Sequence, residues 1–423
     1  MDKFVIRGGK PLSGTVRVSG AKNATLALMP ATILAPGSYT LHNTPILRDV
    51  TTMSRLLESM GSAVSRERHD LRINSAGISR FEAPYEHVKK MRASVYVLGP
   101  LLARYGQARV SLPGGCAWGP RPVNLHIDGM RKLGAAIDLE AGYIVATVKK
   151  FKGARILFDI SSVGATGNVM MAAVLAKGTT VIENAAMEPE ITSLAEFLTN
   201  MGAQIDGIGS STLEIEGVDE LHPVDFTTIP DRIEAGTFLI AGAVAGKQGA
   251  KIRVEECNPR HLGVVTSKLE DAGAKLEIGP DFVAIEPPDE IRPVNVTTAI
   301  YSGFPTDMQA QWIALMSLAA GTSIITESIY FDRFTHVPEL SRLGANIALK
   351  KNVATVIGVK ELVGAKVMST DLRASASLIL AGLAARGTTE VLRVYHIDRG
   401  YESIEKKLRD LGADITRRSG GEF

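Results

Sequence analysis

Hydrophobic and polar positions define two kinds of helical segment that alternate along the chain. The first kind is apolar on nearly all sides, as in residues 378–385, and predicts a helix buried all round. The second kind has one polar face, as in residues 54–60, and predicts a helix on the outside of its domain. Glycine joins each buried helix to a strand, and a second glycine ends each outer helix.

The outer-helix pattern, Leu-x-x-x-Gly-Ala or a close variant, recurs six times. Successive glycines are 73, 68, 71, 71 and 68 residues apart: Gly61, Gly134, Gly202, Gly273, Gly344 and Gly412. Each repeat predicts a strand, a buried helix, a strand, an outer helix and two more strands. The sequence therefore predicts an α/β protein of two three-repeat domains, with the helices packed inside their sheets.

One repeat carries an insertion. From the glycine after the buried helix to the glycine after the outer helix, five repeats run 23 to 25 residues, whereas the second runs 28. The excess lies in a glycine- and proline-rich loop that contains Cys116, five residues before Arg121. An insertion in one copy of a repeat often forms a functional loop. Arg121 could lower the pKa of the thiol or hold an anion, and the alternative is a surface turn with an idle thiol.

The starts of the buried helices carry cations as well as capping residues. Ser, Thr and Asp there are explained as N-caps, but a cation opposes the positive end of the helix dipole. The cations Lys22, Arg92, Arg232 and Arg373 therefore favour a site for a phosphate or carboxylate ligand, provided that the domains bring these ends into one cleft. Asp307 stands among them, either as an ion-pair partner or as an acceptor for the proton of a substrate hydroxyl.

Composition excludes several other functions. The 423 residues suggest two domains, and a net charge of +2 without long charged runs gives no reason to expect nucleic acid or a membrane surface as a partner. Two cysteines cannot build a disulfide framework, and no metal-ligand or dinucleotide motif is present, so we expect neither metal nor cofactor. With no signal peptide and no apolar run long enough for a bilayer, we expect a cytoplasmic protein; its oligomeric state stays open.

Long ordered phrases resemble one family nearly from end to end. They include SGAKNATLALM, PGGCAWGPRPVNLHI, PDRIEAGTF, GFPTDMQAQ and HIDRGYESIEKKL. The chain resembles the UDP-N-acetylglucosamine 1-carboxyvinyltransferases, a branch of the EPSP synthase family. The resemblance implies an inside-out α/β barrel of two domains, residues 22–230 and residues 1–21 with 231–423, with the active site in the cleft between them.

The resemblance also implies the reaction. The enolpyruvyl group of phosphoenolpyruvate passes to the 3-hydroxyl of UDP-N-acetylglucosamine by addition and then loss of phosphate. This is the first committed step of peptidoglycan synthesis, which connects the chain with cell-wall biogenesis, cell shape, cell division and the cell cycle. Fosfomycin, an epoxide phosphonate, alkylates the loop cysteine of this family, so we expect it to modify Cys116.

The resemblance assigns residues to each part of the site. Cys116 corresponds to the proton donor to the vinyl carbon, and Asp307 to the residue at the acceptor hydroxyl. The positions that correspond to phosphoenolpyruvate contacts are Lys22, Asn23, Arg121, Arg373 and Arg399. The positions that correspond to UDP-N-acetylglucosamine contacts are Arg121, Pro122, Val123, Asn124, Leu125, Ser162, Val163, Gly164 and Ile329, with Arg92 at a further site position.

Two departures from the family pattern leave alternatives open. Asn124 stands where the family usually has Asp, and Phe331 and Asp332 replace the usual Glu and Asn before Arg333. Transfer to a different nucleotide acceptor, or to shikimate 3-phosphate, is therefore an alternative, although the shikimate enzyme lacks this cysteine loop. From a different functional class, the alternative is a non-catalytic paralogue that binds UDP-sugars.

Overall fold

The computed structural model describes residues 2–89, 91–112 and 123–419, and these residues form six four-stranded sheets of one design. In each sheet one of the three strand pairings is parallel and the other two are antiparallel. The first five repeats run strand, buried helix, strand, outer helix, strand, strand, and the sixth has β1 from the N-terminal segment as its remaining strand. The predicted βαβαββ repeat is therefore confirmed.

The strands of the described chain are β1 (Asp2–Arg7), β2 (Gly14–Arg17), β3 (Ser38–His42), β4 (Ala63–Glu67), β5 (Asp70–Asn74), β6 (Glu82–Ala83), β7 (Gln107–Ser111), β8 (Ala136–Glu140), β9 (Tyr143–Thr147), β10 (Arg155–Leu157), β11 (Thr179–Glu183), β12 (Gln204–Asp206), β13 (Thr212–Glu216), β14 (Phe226–Thr227), β15 (Ile252–Glu255), β16 (Lys275–Ile278), β17 (Phe282–Glu286), β18 (Val296–Thr297), β19 (Thr322–Thr326), β20 (Asn346–Lys350), β21 (Val353–Ile357), β22 (Lys366–Met368), β23 (Thr388–Leu392) and β24 (Asp414–Ser419).

The buried helices are α1 (Lys22–Ala31), α4 (Leu98–Tyr105), α6 (Val163–Ala173), α8 (Arg232–Ala245), α10 (Gln309–Met316) and α12 (Leu372–Ala384). The helices in the outer positions are α2 (Arg48–Met60), α5 (Asn124–Lys132), α7 (Pro189–Asn200), α9 (Gly263–Asp271), α11 (Val337–Arg342) and α13 (Ile404–Asp410), and a single extra turn forms α3 (Tyr85–Val88). Short 3-10 helices at Arg92–Val97 and Thr306–Met308 lead into α4 and α10.

The chain divides into two units, Gly20–Ile229 and Met1–Ser19 with Pro230–Phe423, whereas the resemblance implies boundaries at 22 and 230. Each unit has its own hydrophobic core. In the first unit the late strand β14 pairs in parallel with the early strand β3. In the second unit β1 lies between β23 and β24, so that the N-terminal segment completes a sheet built by the C-terminal one.

The predicted glycine stops are confirmed. All six glycines that follow the outer helices have φ between 94° and 112°, the left-handed region in which a side chain is strained. The predicted burial also holds for α10, all of whose residues are buried, and α2 buries one face only. Helix α7 is the exception, because it packs along α1 and exposes little beyond Glu196 and its last two residues.

Candidate functional site

Asp307 lies at the centre of a charged cluster in the unit that contains residues 230–423. Its Oδ1 accepts from Nη1 of Arg333 at 2.8 Å, and its Oδ2 accepts from Nη2 of Arg373 at 2.7 Å. The Asp307 side chain is 26% exposed, whereas those of Arg333 and Arg373 are 10% and 3% exposed. The structure thus brings two predicted site residues, Asp307 and Arg373, into direct contact and adds Arg333 to them.

Local helix chemistry directs Arg373 into this cluster. Asp371 is the N-cap of α12, and its Oδ1 accepts from the backbone amides of Arg373 and Ala374 at 2.8 and 3.2 Å. The cap satisfies the first amides of the helix, and the guanidinium, which can only donate, bonds to the Asp307 carboxylate instead. Nε and Nη1 of Arg373 are buried and have no hydrogen-bond partner among the described residues. Buried donors without partners are costly, and an anion would satisfy them.

The cluster holds Asp307 as a carboxylate. Burial opposes its ionisation, but the charges of Arg373 and Arg333 outweigh burial and keep the pKa of Asp307 well below its ordinary value. Two guanidinium groups around one carboxylate leave one positive charge in excess. The cluster is therefore suited to an anion that contacts Arg373 and to a hydroxyl group that donates to Asp307.

Arg399 and Ile329 lie in two other segments of the same unit. Arg399 ends the 3-10 helix Val394–Arg399, which packs against α12. Ile329 is half-buried in the loop Ser328–Arg333, and its amide donates to the buried Glu327 at 2.8 Å. Arg333 is at the end of this loop. It follows Phe331 and Asp332, the two positions at which the sequence departs from the family pattern, and it is also a direct partner of Asp307.

Lys22 forms the corresponding contact in the unit Gly20–Ile229. It is the first residue of α1, whose N-cap, Ala21, has no side chain to cap the helix. Its Nζ lies 3.0 Å from Oδ2 of Asp49, and the two side chains are 13% and 4% exposed. Asn23 follows at an exposed position. A cation at an uncapped helix start provides donors and positive charge for an anion.

His126, which is not among the predicted site residues, lies near three of them, Asn124, Leu125 and Gly164. It is in α5, two residues after Asn124, and its ring is near the first turn of α6, where the Ser162 hydroxyl accepts from the Ala165 amide. A Cβ on Gly164 would lie 3.1 Å from the His126 ring. Glycine is thus what lets the first turn of α6 approach the imidazole.

The proton on the His126 ring follows from its partner, Asn168. Asn168 Oδ1 accepts from the Gly99 amide at 2.7 Å, so its Nδ2 donates to Val95 O at 2.9 Å and to His126 Nδ1 at 3.0 Å. Nδ1 is therefore an acceptor, and Nε2 carries the proton. Burial, aided by the charge of Arg92, lowers the pKa of His126 to about 4, so the ring is neutral at pH 7.

A recess of about 290 Å³ adjoins this group in the same unit. Its lining comprises Leu125, Asp128, Gly129, Arg131 and Lys132 from α5, with Ile156, Leu157, Phe158 and Asp159. Leu125 is the predicted site residue that it contains. The recess thus runs along α5 from Leu125 in its first turn to two cations in its last turn, and two carboxylates, Asp128 and Asp159, also line it.

Three predicted site residues, Cys116, Arg121 and Pro122, lie outside the described residues. The other cysteine, Cys257, is 4% exposed, and burial raises the pKa of its thiol to about 11. A buried thiol with a raised pKa is typical of a structural cysteine. Among the described residues, no group of three or more His, Cys, Asp or Glu side chains could hold a metal ion. No helix in the described ranges is both long and apolar enough to cross a bilayer.

Sequence reasoning missed Asp49, His126 and Glu327. Asp49 had a visible signal, because it lies on the face of α2 that carries the apolar residues Val50, Met53 and Leu57. A carboxylate on such a face needs a buried partner. Glu327 had no comparable signal, since its donors come from three separate segments of the chain.

Comparisons with known proteins give one consistent family. The family model described as EPSP synthase (3-phosphoshikimate 1-carboxyvinyltransferase) matches residues 6–408. A UDP-N-acetylglucosamine 1-carboxyvinyltransferase of Chloroherpeton thalassium is 61% identical, over 100% of this chain and 99% of the relative. Proteins with the same description from Chlorobium chlorochromatii and Geotalea uraniireducens are 57% and 56% identical, over 100% and 99% of both chains.

Solved structures of similar architecture are also enolpyruvyl transferases. The enolpyruvyl transferase NikO from Streptomyces tendae has a TM-score of 0.88 and 27% identity, over 99% of both chains. An EPSP synthase from Acinetobacter baumannii has a TM-score of 0.76 at 17% identity, over 99% of this chain and 100% of that chain. The second likeness shows the fold alone, and it agrees with the predicted architecture.

Proposed function

Because the chain belongs to the EPSP synthase family, and within it to the UDP-N-acetylglucosamine 1-carboxyvinyltransferases, we propose that it transfers the enolpyruvyl group of phosphoenolpyruvate to UDP-N-acetylglucosamine. The product carries the group on the 3-hydroxyl of the sugar, and inorganic phosphate is released. The structural observation behind this proposal is the Asp307 cluster, in which Arg373 has two buried nitrogens without a partner beside an ionised carboxylate.

Phosphoenolpyruvate binds through cations. Arg373, Arg399, Lys22 and Arg121 contact its phosphate and carboxylate groups, and Asn23 adds a neutral contact. The unpaired Nε and Nη1 of Arg373 support this role, since a trianionic ligand satisfies buried guanidinium donors. The same fixed cations stabilise the charge that develops as the addition product collapses.

The addition step uses Asp307 and Cys116. Asp307 accepts the proton of the 3-hydroxyl while the hydroxyl oxygen bonds to C2 of phosphoenolpyruvate, and Cys116 donates a proton to C3. Loss of a proton from C3 and of phosphate from C2 then restores the double bond. Because Arg373 and Arg333 lower the pKa of Asp307, this carboxylate is a weak base until the bound anion shares Arg373 with it.

The nucleotide binds in the unit Gly20–Ile229. The start of α6 offers amides and the Ser162 hydroxyl to the diphosphate, with Val163 and Gly164 in the same turn. Val123, Asn124 and Leu125 at the start of α5 contact the uridine, together with Arg121 and Pro122. Arg92 adds charge beside the first turn of α6, and Ile329 contacts the sugar.

The wider assignments follow from the reaction. The reaction is the first committed step of peptidoglycan synthesis, and through it the chain contributes to cell-wall biogenesis, cell shape, cell division and the cell cycle. Synthesis from these two metabolites takes place in the cytoplasm. Fosfomycin bonds to Cys116 in the presence of UDP-N-acetylglucosamine, and intact-mass spectrometry detects this adduct or its absence.

Phosphate release from phosphoenolpyruvate tests the proposal directly. The purified chain releases phosphate only when UDP-N-acetylglucosamine is present, and Asp307→Asn abolishes the release. Asp332→Asn, which neutralises an exposed carboxylate in a nearby loop, is the matched control and keeps the activity. No release from the folded wild-type protein contradicts the proposal.

Two alternatives have separate tests. Asn124, exposed in the first turn of α5, is the observation that favours a different nucleotide acceptor. A screen with other UDP-sugars and with shikimate 3-phosphate distinguishes them by which compound supports phosphate release. Calorimetry that shows tight UDP-N-acetylglucosamine binding without turnover indicates a non-catalytic paralogue.

A further inference from the structure

Glu327 is a fully buried carboxylate outside every predicted site position. Its Oε1 accepts from Thr298 Oγ1 at 2.7 Å and from the amides of Ile329 and Tyr330 at 2.8 and 2.9 Å. Its Oε2 accepts from Thr306 Oγ1 at 2.9 Å. Four donors thus converge on one carboxylate, and no cation of the described chain forms an ion pair with it.

A charge in this position is expensive for a purely structural turn. A buried carboxylate loses its hydration, and neutral donors recover only part of that loss. The loop amides alone could be capped by a neutral carbonyl oxygen. What an ionised carboxylate adds is direction, because it can only accept, and every hydroxyl beside it must therefore point its proton toward it.

Thr306 transmits this direction to Asp307. Since the Thr306 hydroxyl donates to Glu327, its oxygen is left as an acceptor, and Arg333 Nη1 donates to it at 3.0 Å. The same Nη1 lies 2.8 Å from Asp307 Oδ1. The Arg333 guanidinium is thus held by two acceptors, and Glu327 orients the hydroxyl of one of them, Thr306.

The other oxygen of Glu327, Oε1, holds the loop that carries Ile329. The amides of Ile329 and Tyr330 both point at Oε1, which fixes the start of the segment Ser328–Arg333. The loop ends at Arg333, which donates to Thr306. The start of the loop is therefore bonded to Glu327 directly, and its end is bonded to Glu327 through Thr306. One buried group therefore sets the position of a predicted sugar contact and of an arginine that touches Asp307.

We propose that Glu327 is a positioning residue of the transfer reaction, which holds Arg333 against Asp307 through the Thr306 hydroxyl and holds Ile329 through its backbone amide. This inference rests on the proposed function for its kinetic consequences. The hydrogen-bond relay itself is a property of the folded chain and has a test without substrate.

Thr306→Val and Thr306→Ser form the first test, because they separate the hydroxyl from the side-chain volume. Thr306→Val lowers kcat for phosphate release about tenfold and changes KM for phosphoenolpyruvate less than about twofold, since Arg373 is untouched. Thr306→Ser keeps the hydroxyl and restores kcat to within about twofold of wild type. Full activity of Thr306→Val, or equal damage by Thr306→Ser, overturns the proposal.

Glu327→Gln completes a double-mutant cycle. Its amide turns the Thr306 hydroxyl proton away, so kcat falls about tenfold, and the same change in the Thr306→Val background costs less than about twofold more. Independent, multiplying losses in the double variant contradict the relay. If Glu327→Gln does not fold, the two Thr306 variants still decide the question.

The pKa of Asp307 provides the readout that needs no activity. In protein labelled with ¹³C-aspartate, with Asp307→Asn to assign the resonance, Thr306→Val raises the carboxyl midpoint by about half a unit or more, because Arg333 is released. Thr306→Ser leaves it unchanged. An unchanged midpoint in Thr306→Val refutes the relay even if the wild-type enzyme is active. A raised midpoint in a protein that releases no phosphate supports the relay and rejects the proposed function.

Discussion

Lys22 and Arg373 both stand in the first turn of a buried helix, one in each unit, but their surroundings differ. Arg373 follows Asp371, which caps α12 with its side chain, whereas Lys22 follows Ala21, which cannot cap α1. Lys22 faces the buried carboxylate of Asp49, and Arg373 shares the half-buried Asp307 with Arg333. The same position in the repeat therefore produces one matched ion pair and one cluster with surplus positive charge.

The difference indicates how each cation meets an anion. Arg373 keeps two buried nitrogens without a described partner, so a ligand adds hydrogen bonds and breaks none. Lys22 already donates to Asp49, so a ligand must share the ammonium with that carboxylate. We therefore expect Arg373 to contribute more binding energy to phosphoenolpyruvate than Lys22 does.

Arg373→Gln is expected to have the largest effect of the predicted substitutions. It removes a buried, preorganised cation, and kcat/KM for phosphoenolpyruvate falls about 10³-fold. Arg386→Ala removes an exposed arginine just beyond the other end of the same helix, whose partner is Glu361, and leaves kcat/KM within about twofold. A loss below tenfold for Arg373→Gln contradicts the comparison.

Lys22→Met is expected to cost less, about 10²-fold in kcat/KM for phosphoenolpyruvate, because its charge is partly committed to Asp49. It also leaves Asp49 buried without its cation and lowers the free energy of unfolding by about 3 kcal/mol in urea denaturation. Asp49→Asn separates the two effects, since it keeps the lysine. Equal losses of kcat/KM in Lys22→Met and Arg373→Gln contradict the expectation that Arg373 contributes more binding energy than Lys22.

His126 predicts how stability depends on pH. Its folded pKa of about 4 lies below the unfolded value, so between pH 6.5 and 4 the unfolded chain binds the proton first. Stability therefore falls on acidification, by about 2 kcal/mol at pH 5 from this group. Asn at position 126 can still accept from Asn168 but cannot titrate. Urea denaturation at pH 7 and pH 5 is expected to show a smaller difference in the His126→Asn variant, and an unchanged difference contradicts this assignment.

Asn124→Asp is expected to have the smallest effect. It restores the residue usual in the family at an exposed position in the first turn of α5, where a negative charge also favours the helix by about 0.5 kcal/mol. KM for UDP-N-acetylglucosamine changes less than about threefold, because the backbone of the turn is retained. A change above tenfold assigns the uridine specificity to this side chain and favours the alternative acceptor.

The repeat made the fold predictable, because each copy carries its own local instructions. A glycine after an amphipathic helix forces the left-handed turn, and six copies of that turn occur where the pattern predicts them. Helices that are apolar on all sides can only be stable inside the protein, as α10 is. Helix α7 is buried although it holds an outer position. Its burial depends on contact with α1, and the pattern of α7 itself does not show that contact.

The site was predictable in its members but not in its pairings. Asp307 and Arg373 were predicted from their positions at helix starts and from family resemblance, yet nothing in the sequence joins two residues that are 66 positions apart. Lys22 was predicted and Asp49 was not, because the need for a buried partner became visible only with α1 packed against α2. The place of the His126 ring against Gly164 was not predictable either, because these residues lie on different helices, α5 and α6.

The sequence alone determined the order of strands and helices, the glycine turns and the types of residue available for chemistry, since these depend on neighbours a few positions away. The tertiary structure decided which charges meet, which donors stay unpaired and which buried carboxylate directs the others. Those properties depend on burial and on distances of about 3 Å between segments far apart in the chain, and Coulomb energies and hydrogen bonds change steeply over that range.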